Sequence, residues 1–482
     1  MGTFGLFLAI ALVSVAGMTI GSFFSLSFRE RLLFAWPIGA GVVSLQMFFY
    51  SLASIRFSPA VIVLPWIVLV AVLVVRRIQA FFSKAAQGGA WSFSFSTKYA
   101  ANRAIALSYL ELALVFVIVF QAVFSLVNLV ALPIQGYDTW VIWFLKARAF
   151  FIDGGVSVAF LSDPVYSNAN PGAYEYPLLV PLLVSAGYVF MGYVDDRLVK
   201  IFFWVYYLNL LGAFYYFVRP FSTRLVALIL CVMLATVPRV MEQAAFGGAG
   251  YADLPLAVYF LSAVGFGFRY FQGGKKGDFL LSALFLSIGA WTKSEGITFL
   301  ATVLVIMSAY AVYTRRSEGI KAAVPAVVIA VVFVLPWQLY VLMLPKLSFT
   351  MVSELSVATV LSNMERLPFI FKVILPKLFT ANKYHIAWAL YVVLTAWGFR
   401  SFVRRGYAFL QAALWIQLSF YIFVYVITPF DLKPHIETSF DRLTIHLLPI
   451  AFLCMAVCWQ DIFGGRAVGA DNGRVEVYTP CN

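Results

Sequence analysis

Four short segments place charged side chains next to apolar stretches, and these segments contain the residues best suited to chemistry. Asp138 stands in GYDTW, Asp253 in GYADLPL, Lys293 and Glu295 in TKSEG, and Arg442 in DRLTIHLLP. Charges this close to hydrocarbon are costly, and they are usually paired or functional. A carboxylate in such a place can act as a general base, and a lysine or arginine can bind a phosphate.

Each of these residues also has a purely structural explanation. Asp138 and Asp253 each precede a predicted helix, and aspartate is a favourable N-cap residue. Lys293 can extend its ammonium group to the membrane surface from a tight hairpin. Arg442 can form an interfacial ion pair with its neighbour Asp441. The sequence alone leaves these alternatives open.

The composition restricts the class of protein. Of the 482 residues, 63% are hydrophobic and 11% are charged, whereas a soluble domain has about 25% charged residues. The mean hydropathy is +0.92, so a soluble, disordered or coiled-coil protein is excluded. The net charge of +13 does not indicate nucleic-acid binding, because in a membrane protein cations first report orientation.

Hydropathy predicts an all-α polytopic membrane protein with about thirteen transmembrane helices. The predicted spans lie near 2–25, 32–54, 58–75, 106–132, 199–218, 225–243, 254–272, 279–293, 297–313, 322–343, 386–399, 407–428 and 443–460. One further apolar stretch, 176–192, contains Pro177 and Pro181 and is predicted not to cross but to lie against, or dip into, one leaflet.

The loop charges predict the orientation. With 176–192 outside the membrane, 20 of the 34 lysines and arginines fall on one side and 14 of the 21 acids on the other. Because basic loops are usually cytoplasmic, we expect an outer amino terminus and a cytoplasmic carboxyl terminus. The long outer loops are then 133–198, 344–385 and 429–442. Any chemistry is expected on the outer side of the cell (inner or plasma) membrane.

The order of these motifs resembles the GT-C superfamily of integral-membrane glycosyltransferases. The likeness is to the branch of the protein O-mannosyltransferases and the lipid A aminoarabinose transferase. It covers roughly residues 106–460 and includes YEYPLLVPLL, which begins at Tyr174. One departure concerns the first loop, where that family commonly has an Asp-Glu pair but Asp138 is followed by Thr139.

The resemblance implies a function and a set of site residues. It implies transfer of a sugar from a polyprenyl-phosphate-linked donor to a lipid, glycan or protein acceptor, with inversion at the anomeric carbon. Asp138 matches the base and Asp253 the second outer acid of the branch, so both are expected to be catalytic. The residues expected to bind the donor phosphate are Lys293, Arg442 and Lys146. The first outer loop is expected to contain interfacial helices. The residues expected to line the cavity are Tyr137, Tyr176, Tyr251, Glu295 and His446.

The resemblance also divides the chain. Residues 1–105 hold three additional helices and a cytoplasmic loop, 106–320 the GT-C-like catalytic module, and 321–463 the carboxyl-terminal helices. Residues 464–482 form a flexible cytoplasmic tail. The three histidines and four cysteines have no metal-binding spacing, so no cofactor is assigned and a divalent metal has no support from the sequence.

Three other functions remain open at this level. The first is a transporter or lipid flippase, which is expected to have internal repeats and ionisable residues near the centre of the membrane. A glycan ligase with a polyprenyl-diphosphate donor shares the outer cavity and the basic phosphate site. A membrane scaffold leaves the outer acids and cations without a purpose.

Overall fold

The structure, a computed structural model, describes residues 2–24, 26–86, 107–170, 172–345, 356–403 and 406–467. Within these ranges the chain forms helices and no β-strand. The α-helices are α1 (Gly2–Gly21), α2 (Phe28–Leu52), α3 (Pro59–Ala86), α4 (Tyr109–Ala131), α5 (Leu145–Asp153), α6 (Val158–Leu161), α7 (Pro164–Ala169), α8 (Leu179–Met191), α9 (Ile201–Val218), α10 (Arg224–Thr236), α11 (Pro238–Ala245), α12 (Asp253–Gly273), α13 (Lys276–Thr292), α14 (Glu295–Met343), α15 (Val357–Asn363), α16 (Leu367–Leu378), α17 (Ala381–Tyr384), α18 (Ala387–Trp397), α19 (Tyr407–Ile427) and α20 (Leu432–Ala467).

Ten helical segments within the described residues are long and apolar enough to cross a membrane. The long helix α14 supplies two of these segments, Glu295–Thr314 and Lys321–Met343. The all-α, multi-pass membrane architecture predicted from hydropathy is thereby confirmed.

Three of the thirteen predicted spans do not form single helices of that length. The stretch 225–243 is a pair, α10 and α11, bent by 63°, because Pro238 lacks an N–H group and disfavours a helical residue before it. The stretches 279–293 and 386–399 become α13 and α18, which have 17 and 11 residues. At 1.5 Å per residue, α18 is about 17 Å long, well below the roughly 30 Å of hydrocarbon. By length and composition the described residues hold ten spans, or eleven with the bent pair.

Two predicted non-helical regions near the carboxyl terminus differ as well. Most of the predicted loop 429–442 is the start of α20, which begins at Leu432. Pro434 fits this position because the first turn of a helix needs no internal N–H donor. The same helix continues to Ala467, so the predicted flexible tail of 464–482 begins as helix. Residues 468–482 lie outside the described part of the chain.

The apolar helix α8, within the stretch 176–192, is short and enclosed by protein. It has 13 residues, all of them buried, and is therefore about 20 Å long. Its length agrees with a segment that does not cross, but its burial differs from a helix lying against a lipid leaflet. It contacts α1, α2 and α5.

The helix α14 turns back on itself. A straight helix would separate Glu295 from Trp337 by roughly 63 Å. Trp337 nevertheless lies with its ring 6.5 Å from that of Trp291, at the end of α13 and four residues before Glu295. The two segments Glu295–Thr314 and Lys321–Met343 therefore run in opposite directions, which returns the end of α14 to the place where it begins.

The buried helix α12 connects two polar groups at opposite ends of the bundle. At its end, Arg269 lies 3.0 Å from Glu30 and 3.2 Å from Asp278. At its start is Asp253, about 24 Å away at the rise of a helix. Helix α13 runs alongside α12 over this distance, because Asp278 faces Arg269 and Lys293, one residue past the end of α13, faces Asp253.

The amino-terminal helices belong to the same core. A Cβ atom on Gly39 would lie 1.7 Å from the carbonyl oxygen of Val13, so only glycine permits this approach of α1 and α2. Helix α2 is also hydrogen-bonded to α12, because Tyr259 OH donates to the Pro37 carbonyl over 2.9 Å.

Candidate functional site

The carboxylate of Asp138 is held by an arginine from the other end of the chain. Asp138 occupies the N-cap position of a π-helical turn, Thr139–Phe144, but its side chain makes no capping hydrogen bond. Arg442 Nη1 instead donates to Asp138 Oδ2 over 2.6 Å. Helix capping therefore does not account for Asp138, and an Asp441–Arg442 pair does not account for Arg442.

Asp253 is surrounded by three nitrogen groups. It is the first residue of α12, where Ala252 holds the N-cap position, and it is 2% exposed. Lys293 Nζ donates to Asp253 Oδ1 over 2.8 Å, and His446 Nε2 lies 3.0 Å from the same oxygen. Arg442 Nε lies 4.0 Å from Oδ2. Asp253 thus connects α12 to the end of α13 and to α20.

The buried ammonium group of Lys293 lies between two carboxylates. Its Nζ is 2.8 Å from Glu295 Oε1 and 2.8 Å from Asp253 Oδ1. Burial by itself would lower the pKa of Lys293, but the charges of Asp253 and Glu295 outweigh it and raise the pKa above its ordinary value. Lys293 therefore stays charged and does not extend to the membrane surface.

His446 connects Asp253 to a tyrosine through its two ring nitrogens. Its Nδ1 lies 2.9 Å from Tyr421 OH, and its Nε2 faces Asp253. A carboxylate can only accept, so Nε2 carries the proton, and Nδ1 accepts from the tyrosine. Because Arg442 and His446 are four residues apart, they share the face of α20 that meets Asp253, as predicted.

We call these residues the charged cluster: Asp138, Asp253, Lys293, Glu295, Arg442 and His446. Two of its buried atoms, Arg442 Nε and Glu295 Oε2, have no hydrogen-bond partner among the described residues. A buried polar atom without a partner costs about 1–3 kcal/mol. One donor and one acceptor are therefore available to a polar ligand.

Two tyrosines predicted to line the cavity lie against the cluster. The guanidinium of Arg442 stands 5.0 Å from the ring centre of Tyr251, within the range of a cation–π contact. Tyr176 lies close enough to Glu295 and Lys293 for their charges to affect its hydroxyl group. Burial, followed by the charge of Glu295, raises the pKa of Tyr176 to about 12, so its hydroxyl is a donor at neutral pH.

The turn before α12 positions the loop of Asp138. Thr139 Oγ1 donates to the Ala249 carbonyl over 3.0 Å. The neighbouring Gly250 has a φ of +102°, and a Cβ there would lie 2.3 Å from Thr139 Cγ2. Position 250 thus requires glycine, both for its positive φ and for the close approach of Thr139.

Two predicted site residues do not join the charged cluster. Lys146 is fully buried in α5 and donates to the Ala173 carbonyl over 2.5 Å. Tyr137 is exposed and donates to Asn170 Oδ1 over 3.2 Å. The assignment of Lys146 to a donor phosphate stays a prediction, and its ammonium group points into the fold of the first long loop.

The sequence reasoning did not single out Tyr421. It lies in an apolar span with many aromatic residues, and no pattern in the chain marks it. It also did not foresee that Asp441 joins cations from three other segments: Arg239, Lys377 and Lys383. Arg239 also pairs with Glu242, three residues further along the same helix.

The charged cluster offers a base, fixed cations and two unpaired buried atoms. With His446 neutral, three carboxylates face two permanent cations, so the cluster carries a net negative charge. In the described part of the chain, no group of three or more His, Cys, Asp or Glu side chains is arranged to hold a metal ion. Comparisons with protein-family models, curated proteins and solved structures found no match to this chain.

Proposed function

We propose that the chain is a membrane glycosyltransferase similar to the GT-C superfamily. It transfers a sugar from a polyprenyl-phosphate donor to an acceptor hydroxyl on the outer face of the membrane. One observation carries the proposal: four of the motifs on which the resemblance rests come together in a single charged cluster. Asp138, Asp253, Lys293 and Arg442 are connected by ion pairs or lie within 4.0 Å of their partners.

Asp138 is proposed as the general base. Its side chain is 23% exposed, whereas Asp253 is buried. The carboxylate takes the proton of the acceptor hydroxyl as the acceptor oxygen attacks the anomeric carbon from the face opposite the leaving group. The bond between that carbon and the phosphate oxygen breaks, and the polyprenyl phosphate leaves with the electron pair. A positioned base contributes roughly 10²–10⁴-fold to such a step.

Asp253 is proposed as a positioning residue. Because it is buried and contacts Lys293 and His446, it cannot meet a substrate without losing these partners. It keeps Arg442 oriented toward Asp138 from a distance of 4.0 Å. Lys293 and Arg442 were predicted to bind the donor phosphate, and each is already paired with a carboxylate.

An apolar groove supports a donor with a hydrocarbon chain. It has a volume of about 440 Å³ and lies between Phe49 of α2 and the last turns of α14, including Tyr340 and Met343. Tyr340 stacks on Trp337 at 5.6 Å, and Trp337 Nε1 donates to the Glu175 carbonyl. The next residue is Tyr176, which lies near Glu295 and Lys293, so Trp337 stands between the groove and the charged cluster.

The test is transfer by the purified chain in lipid nanodiscs with a panel of labelled polyprenyl-phosphate sugars. We expect one donor to be used, and Asp138→Asn to abolish transfer while the donor still raises the melting temperature. The half-buried Asp163, which caps the short helix α7 in the same loop, provides the control variant Asp163→Asn. Full transfer by folded Asp138→Asn would overturn the assignment of the base.

Product analysis separates the alternatives. Use of a polyprenyl-diphosphate glycan in place of every polyprenyl-phosphate sugar would assign the ligase. Movement of labelled lipid between leaflets without a transfer product would assign the flippase. The proposed orientation, with an outer amino terminus and a cytoplasmic carboxyl terminus, is checked by labelling single cysteines introduced at both ends.

A further inference from the structure

A second charged group lies one residue before Arg442. Asp441 is almost fully buried, and a single oxygen, Oδ2, contacts three cations. Lys383 Nζ lies at 2.5 Å, Arg239 Nη2 at 3.0 Å and Lys377 Nζ at 3.1 Å. The two lysines come from the consecutive helices α16 and α17, and the fold brings Arg239 to them from α11, a distant part of the sequence.

This group has an excess of positive charge. Glu242 is its second carboxylate and pairs with Arg239, so three cations face two acids. We call these residues the Asp441 group: Arg239, Glu242, Lys377, Lys383 and Asp441. The charged cluster has the opposite balance, with more carboxylates than permanent cations. The net positive charge of the Asp441 group therefore attracts an anion such as phosphate, whereas the net negative charge of the charged cluster does not.

Its donors are not used up. Arg239 Nε is buried and has no hydrogen-bond partner among the described residues. An ammonium group has three N–H donors, and the acceptor that Lys383 meets in the described part of the chain is Asp441. Burial lowers the pKa of Lys377 although the charge of Asp441 opposes this, and repulsion from the charge of Lys383 adds to the lowering. A bound anion would relieve this repulsion.

The position of the group fits a lipid headgroup. Helix α16, which carries Lys377, has 12 residues and is about 18 Å long, too short to cross a membrane. Ile370 and Ile374 face the protein, while large apolar side chains on its other sides are exposed: Phe369, Phe371 and Leu375. Exposed apolar side chains next to cations are typical of a helix lying in the membrane interface.

We propose that Arg239, Lys377 and Lys383 form a binding site for the phosphate group of a membrane lipid. The assignment to the polyprenyl-phosphate donor rests on the proposed function; the site itself does not. Arginine supplies a planar fork and the lysines supply point charges, a combination suited to a phosphate. The carboxylate of Asp441 already contacts all three cations. A bound phosphate shares these cations with Asp441, and the two anions compete for them.

The experiment measures binding of a polyprenyl phosphate to the full chain in phosphatidylcholine nanodiscs. We expect the double variant Lys377→Gln/Lys383→Gln to bind about tenfold more weakly or worse, since it loses two charge-assisted hydrogen bonds. Lys372→Gln is the matched control, because Lys372 is exposed on the same helix and lies outside the group. Unchanged affinity of the folded double variant would overturn the site.

A second variant covers the case in which the double variant does not fold. Asp441→Asn removes the internal competitor and is expected to tighten phosphate binding, whereas a merely structural acid would only lower stability. Looser or equal binding by folded Asp441→Asn would contradict the proposal.

Competition identifies the source of the phosphate. Displacement by phosphatidylglycerol at equal concentration would assign the site to lipid phosphates in general, and resistance to it would assign the site to the polyprenyl donor. Failure here is separable from failure of the proposed function. Transfer that depends on Asp138 but not on Lys377 and Lys383 would reject only this site. Lost lipid binding by the double variant without any transfer activity would reject only the glycosyltransferase.

Discussion

Arg442 and Asp138 lie 304 positions apart in the chain, and their side chains meet over 2.6 Å. The same guanidinium covers the ring of Tyr251 and approaches Asp253. One side chain of α20 thus orients the first long loop relative to the start of α12. The direction of the proposed base therefore depends on three elements that are far apart in sequence.

Replacing Arg442 by alanine should inactivate the protein. Asp138 and Asp253 would then lack the cation between them, and Asp138 would lose the contact that orients it. We expect transfer to fall by roughly 10²-fold or more, the size of effect expected from losing a fixed polar partner of the reacting groups. Added guanidinium ion should restore part of the activity. Lys433→Ala, at an exposed lysine of the same helix, is the control, and equal activity of the two variants would contradict this role.

The variant Asp253→Asn should destabilise the fold. It leaves the buried Lys293 with one carboxylate partner and gives His446 a neutral amide oxygen in place of a charged acceptor. Breaking a buried pair on one side costs about 3–5 kcal/mol, measured as unfolding in detergent by heat or denaturant. Adding Lys293→Met should recover part of this loss, because both charges are then gone. Glu437→Gln, at an exposed acid of α20, should change stability little. Strict additivity of the two cluster variants would speak against direct coupling.

The pH dependence of stability should carry a contribution from Lys146. Burial lowers the pKa of Lys146 from 10.5 to about 7. Between these values the unfolded chain binds more protons than the folded one, so the free energy of unfolding rises with pH across this window. Below about pH 7 both states are protonated, and the full cost of the buried charge remains.

Lys146→Met should therefore raise the melting temperature most at and below pH 7, and it should flatten the rise toward pH 10. Melting curves at several pH values test this, with Lys372→Met at an exposed lysine as the control. Parallel pH profiles of Lys146→Met and wild type would show that Lys146 is not buried as a charge.

Gly250→Ala should disturb the loop that carries Asp138. The positive φ costs a non-glycine residue about 1–2 kcal/mol, and the new Cβ would lie 2.3 Å from Thr139 Cγ2. We expect a lower melting temperature and reduced transfer. Gly247→Ala is a close control, since a Cβ at Gly247 meets nothing within 4 Å. Equal behaviour of the two variants would mean that the Gly250 contact does not position the loop.

The sequence by itself determined that the chain crosses a membrane many times and where its charged residues stand along it. Hydropathy is a local property, so a window of about 20 residues suffices to predict a span. The same pattern marked Asp138, Asp253, Lys293 and Arg442, because each is a charge at the edge of an apolar stretch. Helix length was less predictable: α18 ends after 11 residues although the apolar stretch around it is longer.

Only the tertiary structure decided which of these charges meet. Whether Lys146 points into the first loop or toward Asp138 depends on the rotation of α5, and the loop charges contain no information about that rotation. Asp441 and Arg442 are neighbours that, by sequence, could pair with each other, yet Asp441 joins three cations and Arg442 joins Asp138 and approaches Asp253. Successive residues of a helix point about 100° apart, so each faces a different part of the bundle. Their partners come from segments that lie 58 to 304 positions away, and only the packing of the helices brings them into contact.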